Sequence, residues 1–167
     1  MANTHSGKAK VTLPSSEQIL IKRDFSAPKH LVYRAWTNAE LVKRWWAGMR
    51  GEMRVVDIDL QVGGKWRYVM WAHGKFEVAF HGEFREIVPN ERIAYRHGGG
   101  EADLEPVTFS QTVTFEDIGE GRTRIVWHGV FPNAEMRNFV IKEYGADKGL
   151  QETTARLAGY VATMARS

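Results

Sequence analysis

The chain is 167 residues long, 43% apolar and 26% charged, with a net charge of +3, the balance of a folded globular domain and not of a disordered segment. It contains no cysteine, which excludes a disulfide framework, a thiolate zinc site and a Cys nucleophile. No run approaches the roughly 20 apolar residues that a bilayer span requires, and the polar start from Met1 to Ser16 lacks the apolar stretch of a secretory signal.

These features predict a cytoplasmic protein with a flexible lead over residues 1–15 and a single domain over residues 16–167. Charge is unevenly placed: residues 1–75 carry +7 and residues 76–167 carry −4. The basic excess is scattered through Lys22, Arg23, Lys29, Arg34, Lys43, Arg44, Arg50 and Arg54. Solvated faces account for it, so nucleic acid is not expected as a partner.

Glu17 to Phe25 alternates, with Ile19, Ile21, Arg23 and Phe25 on one face, and reads as a first strand. Pro28 is suited to the first position of a short helix whose apolar stripe is Leu31, Val32, Ala35 and Trp36. Thr37 and Glu40 have capping-box spacing and predict a second short helix, Asn38 to Trp46. From Glu52 the period becomes two. Met53 to Leu60 is expected as a strand with Val56, Ile58 and Leu60 on one face, and Gly63-Gly64 turns into Trp66 to Trp71. Phe76 to Val88 follows, with Gly82 read as a bend or bulge. Arg92 to His97 is the next strand, and Gly98-Gly99-Gly100 is read as opening a mobile loop to Pro106. Val107 to Asp117 and Arg122 to Phe131 form two more strands around a glycine-rich turn.

A helical stretch to about Tyr144 precedes the main helix, Ala146 to about Ala165. Leu150, Thr154, Leu157, Val161 and Met164 step by four and three, the stripe of a helix lying on a sheet. Successive strands joined by tight turns form an antiparallel meander. One stripe cannot cover so broad a sheet unless the sheet curls. The expected class is therefore α+β, a helix-grip fold: a curved antiparallel sheet of about seven strands around a long C-terminal helix, with two short helices after the first strand.

Phe25-Ser26-Ala27-Pro28, Ala35-Trp36-Thr37, Trp45-Trp46, Asp59 with Gly63-Gly64-x-Trp66, Gly82 to Ile87, Thr112 to Phe115 and Gly121-x-Thr123 occur in that order. In this the chain resembles the activator-of-heat-shock-protein-ATPase-like branch of the START/SRPBCC superfamily, which includes polyketide cyclases. The resemblance runs from about residue 18 to about residue 165. Gln61 stands where that family usually has Arg before the double glycine. The resemblance implies either a binder of a hydrophobic small molecule or a partner of a heat-shock chaperone. It also leaves room for a cyclase- or hydrolase-like enzyme using the same pocket.

The aromatic side chains carry the functional expectation. Strand phase directs Trp66, Tyr68, Met70, Phe80, Phe84, Tyr95, Phe109 and Trp127 at the long helix, with Phe76 beside them and Gln111 on the same face. Together with Trp46, Leu157 and Val161 they form the expected ligand-binding pocket, whose polar tips (Tyr68, Tyr95 and Gln111) need partners inside an apolar chamber. Core packing is the competing explanation of the same rings. Gly149 and Gly159 in the main helix are read as marking close packing, or space beside a ligand. His73, His81, His97 and His128 lie on different segments without metal-ligand spacing, and His81 and His128 are out of phase with the inward rings. Asp57 and Asp59 share a strand face, read as an outward ladder opposite Arg67. No catalytic residue, metal or cofactor is assigned, and the expected state is a monomer or homodimer.

Overall fold

Alternation with a period of two runs through the middle of the chain, and the backbone follows it. The computed structural model describes residues 9–47, 51–101, 107–144 and 146–166. Strands β1 (Lys10–Thr12) and β2 (Gln18–Phe25) lead into helices α1 (Lys29–Thr37) and α2 (Ala39–Val42). Then come β3 (Gly51–Ile58), β4 (Lys65–Ala72), β5 (Phe76–Val88), β6 (Arg92–Glu101), β7 (Val107–Gly119) and β8 (Arg122–Val130). Helices α3 (Ala134–Tyr144) and α4 (Ala146–Arg166) close the chain. The strands form one antiparallel sheet in the order β1-β2-β8-β7-β6-β5-β4-β3. The meander is thus extended on its β8 side by β2. The sheet is curved and unclosed, and α4 packs across its concave face, the expected α+β helix-grip arrangement.

Several local expectations are revised. Lys10–Thr12, inside the segment expected to be a flexible lead, pairs with β2. Ala9 is buried, and its backbone N–H and C=O are both engaged by the Gln151 carboxamide of α4 at 2.8 and 2.5 Å. Among the described residues the sheet therefore has eight strands where about seven were expected. Thr37 does not cap α2: its hydroxyl donates back to the Tyr33 carbonyl at 2.8 Å, and Asn38 accepts from the Leu41 N–H as N-cap. An i−4 carbonyl within reach competes with the cap for a threonine hydroxyl. The helix it opens is also shorter than expected, ending at Val42.

The glycine readings change as well. Gly98 and Gly99 do not open a loop but lie in β6, paired to Thr108 and Val107 on one side and to His81 and Phe80 on the other. Gly99 has φ of +99°, and a Cβ there would lie 2.3 Å from the Ala79 carbonyl oxygen, so glycine permits both the backbone angle and the close strand approach. Residues 102–106 of the expected loop lie outside the described residues. The β5 bulge falls between Phe84 and Glu86, not at Gly82, which stays in register with Trp66. Leu60 lies beyond β3 and is exposed, because the strand ends at Ile58 and the chain turns there.

The core divides in three. One cluster joins α1 to α4 through Val32, Ala35, Val113, Phe115, Leu157 and Val161. A second lies under β3 to β5 around Val42, Val56, Met70 and Val78. The third joins Ile19, Ile21, Phe109 and Phe131 to α3. Trp45, 2% exposed, ties the α2 turn to α1 by donating its indole N–H to the Ala35 carbonyl at 2.9 Å. Among the described residues no helix is long and apolar enough to cross a membrane.

Candidate functional site

Where the sheet curls away from α4, the inward rows of six strands, β2 and β4 to β8, surround a cavity of about 170 Å³. β4 contributes Trp66 and Tyr68, and β5 contributes Phe80 and Phe84. β6 contributes Tyr95, His97 and Gly99, β7 contributes Phe109 and Gln111, and Trp127 comes from β8. Trp46 enters from the segment after α2, its ring 5.1 Å from that of Tyr68 and 5.0 Å from that of Phe80. Nine of the twelve residues expected at a pocket thus meet at one cavity. Met70, Leu157 and Val161 do not line it. Met70 packs in the cluster under β3 to β5, and the two helix residues pack toward α1.

The crossing of α4 explains that difference. Its later turns dock Leu157 and Val161 against α1 and β7, so an earlier turn, Thr153 and Thr154, covers the cavity. Leu150 and Gly149 have side-chain positions outside the described residues. Gly159 is exposed with nothing within 4 Å of a Cβ built on it, so it marks neither close packing nor space beside a ligand.

Two charged or titratable lining groups were not among the expected site residues. Arg23 follows Ile19 and Ile21 at the strand period and reaches the cavity margin, donating to Thr154 Oγ1 at 2.9 Å and to the Gln151 carbonyl at 3.4 Å. His97 lies two residues beyond Tyr95 and stands among rings, 4.8 Å from Phe109, 5.3 Å from Trp66 and 5.4 Å from Phe80. Both signals were present in strand phase. His81 is exposed, while His128 is half-buried with a ring nitrogen 2.9 Å from Gln18 Oε1. Asp57 faces Arg67 in register, and both aspartates of the pair are exposed. Among the described residues, none of the side chains lining the cavity is a carboxylate.

The polar centre of the cavity is Gln111, only 5% exposed. Its side-chain oxygen accepts from the Tyr95 hydroxyl at 2.7 Å and from the Trp127 indole N–H at 2.6 Å. An indole N–H can only donate, so the atom facing Trp127 must be the carbonyl oxygen. This fixes which way the carboxamide points. Burial holds the Tyr95 hydroxyl well above its ordinary pKa, up to about 12, although the Trp36 and Trp127 indole N–H groups beside its oxygen pull the other way. Burial pushes the Tyr68 hydroxyl further up, with Tyr95 adding to the effect. Both phenols are therefore neutral hydrogen-bonding groups near pH 7. Burial also lowers the Arg23 guanidinium, which stays protonated at that pH because it starts so high.

A curled antiparallel sheet, a C-terminal helix laid across it and a ring-lined cavity between them define a helix-grip enclosure. The chain belongs to the Activator of Hsp90 ATPase homolog 1-like protein family, whose model matches residues 26–162. Solved structures similar in fold include a protein from Rhodobacter sphaeroides, with a TM-score of 0.84 and 17% identity over 94% of this chain and 99% of that one. A protein from Mycobacterium smegmatis is similar with a TM-score of 0.80 and 20% identity, covering 95% of this chain and 99% of its own. One from Chromobacterium violaceum is 25% identical with a TM-score of 0.73, over 87% and 97% of the two chains. A comparison with curated proteins finds no match.

Proposed function

We propose that the protein binds a hydrophobic or aromatic small molecule in the cavity between the sheet and α4, without chemistry of its own. The observation that carries this reading is the cavity itself: about 170 Å³ left open among eleven aromatic side chains and a histidine. An apolar cavity of about 150 Å³ admits a benzene-sized molecule, so the space here suits at least one ring. Rings of Trp, Phe and Tyr make stiff walls that resist collapse and offer large contact area. Binding is favoured by a lining made mostly of rings, in which no carboxylate occurs among the described residues.

The test is a thermal-shift and native mass-spectrometry screen against lipids, polyketides and aromatic metabolites. A bound mass at one-to-one stoichiometry with a raised melting temperature is expected. A screen without any stabilising ligand overturns the reading.

The family description supports a second reading, regulation of a heat-shock chaperone ATPase. An ATPase assay with the host's own chaperone checks it: stimulation on adding the protein supports this reading, and an unchanged rate rejects it.

A further inference from the structure

Resting on the reading of the cavity as a ligand site, we infer that its ligand carries a hydrogen-bond acceptor, such as a carbonyl oxygen, on an otherwise apolar ring system, and that the Gln111 amide NH₂ reads that atom. Gln111 lies on the inward face of β7, between Phe109 and Val113 in strand phase, and borders the cavity. Its oxygen is fully engaged by Tyr95 and Trp127. Because the indole forces that orientation, the amide nitrogen is held on the other side of the group. It has no hydrogen-bond partner among the described residues.

A carboxamide NH₂ brings two donors, and at the border of an apolar cavity they favour a ligand atom that accepts. The neighbouring position across the sheet, Gly129, supplies no side chain, and the space there is occupied by carbon atoms of Trp127, Phe131 and Phe109. The Trp and Phe rings of the lining bring apolar surface and no acceptor. The complementary ligand group is therefore an acceptor, while donor-only groups meet a donor. A pure hydrocarbon fills the space and leaves the NH₂ unanswered.

The experiment uses two probes of nearly the same shape, acetophenone and ethylbenzene, in which a carbonyl replaces a methylene. The full-length protein and Gln111→Glu, which keeps the oxygen shared by Tyr95 and Trp127 but puts a second acceptor in place of the NH₂, are titrated with both. Acetophenone loses more hydration on entering an apolar space, so the informative quantity is the ratio of the two Kd values, compared between the proteins. The expected result is that Gln111→Glu shifts this ratio against acetophenone by about three- to tenfold, the worth of one hydrogen bond, while ethylbenzene affinity changes less than about twofold, a small fraction of such a bond.

A ratio unchanged between the proteins overturns the inference and leaves the pocket reading standing. If neither probe binds the wild-type protein, both fall together. A second measurement needs no variant: in ¹⁵N-labelled wild-type protein the Gln111 side-chain NH₂ resonances are expected to move with acetophenone and to move far less with ethylbenzene. Equal movement with both overturns the inference.

Discussion

The indole of Trp66 lies over the bare backbone of Gly82, its cross-strand partner: a Cβ on Gly82 would stand 2.5 Å from Trp66 Nε1 and 1.8 Å from the Arg96 carbonyl oxygen. The glycine lets a large ring lie flat against the sheet, so that it forms a cavity wall without filling the cavity. Gly82→Ala is expected to destabilise the protein by about 1–3 kcal/mol, the range for overpacking at a site where backbone must give way. Denaturant unfolding would show the loss as a lower midpoint. An unchanged midpoint would mean that the strands part more easily than this geometry allows.

Gly159 presents the opposite case. It is exposed in the middle of α4, with open space where a Cβ would go. Gly159→Ala should raise stability by about 0.4–1 kcal/mol, by removing unfolded-state freedom and improving helix propensity. For a domain of this size about 1 kcal/mol corresponds to roughly 2–4 °C in Tm, so calorimetry should resolve an increase of a few degrees at most.

Thr123 is fully buried and donates its hydroxyl to the carbonyl of Ala27, itself fully buried, at 2.7 Å. The bond ties β8 to the segment entering α1. Thr123→Val keeps shape but leaves the Ala27 carbonyl without that donor, at an expected cost of about 1–3 kcal/mol. Urea unfolding of the variant, with the m-value held constant, checks it.

Alkaline pH should act through the two phenols at the cavity, Tyr68 and Tyr95. Tyr95 titrates at about 12 in the folded protein against an ordinary value of 10.0, so the folded state holds its proton more tightly than the unfolded state. Stability from this group is complete below pH 10 and falls as pH rises toward 12, by up to about 1.4 kcal/mol per pH unit. Tyr68 is raised further and extends the loss to higher pH. Denaturation midpoints at several alkaline pH values, read beside tyrosinate absorbance, should decline in Tyr95→Phe more gently than in wild type. Equal slopes would mean that Tyr95 is more open to solvent than its burial implies.

Strand phase made much of this legible in advance. A period of two separates inward from outward side chains without reference to any partner, which is why Trp66, Tyr68, Phe80, Phe84, Tyr95 and Phe109 were expected together and meet at the cavity. The same periodicity applied to β2 and β6 reaches Arg23 and His97. They escaped attention because a charged or titratable side chain in an apolar row is ordinarily placed at the surface.

Other features depend on what comes from elsewhere in the chain. Whether a glycine is a hinge or a strand residue is decided by the neighbouring strand, and Gly98 and Gly99 have neighbours on both sides. Whether Thr37 caps a helix depends on the competing Tyr33 carbonyl.

The amino-acid sequence by itself determined the order of elements from β2 onward, the faces of the strands and the choice of rings for the interior, because these follow from local periodicity and from the cost of exposing apolar surface. Only the tertiary structure decided that Leu157 and Val161 dock beside α1 while Thr153 and Thr154 face the cavity, and that Gln111 turns its oxygen to Trp127 and its NH₂ away. Those outcomes depend on the crossing of α4 over the sheet and on one donor-only indole set beside one amide, relationships between residues far apart in the chain.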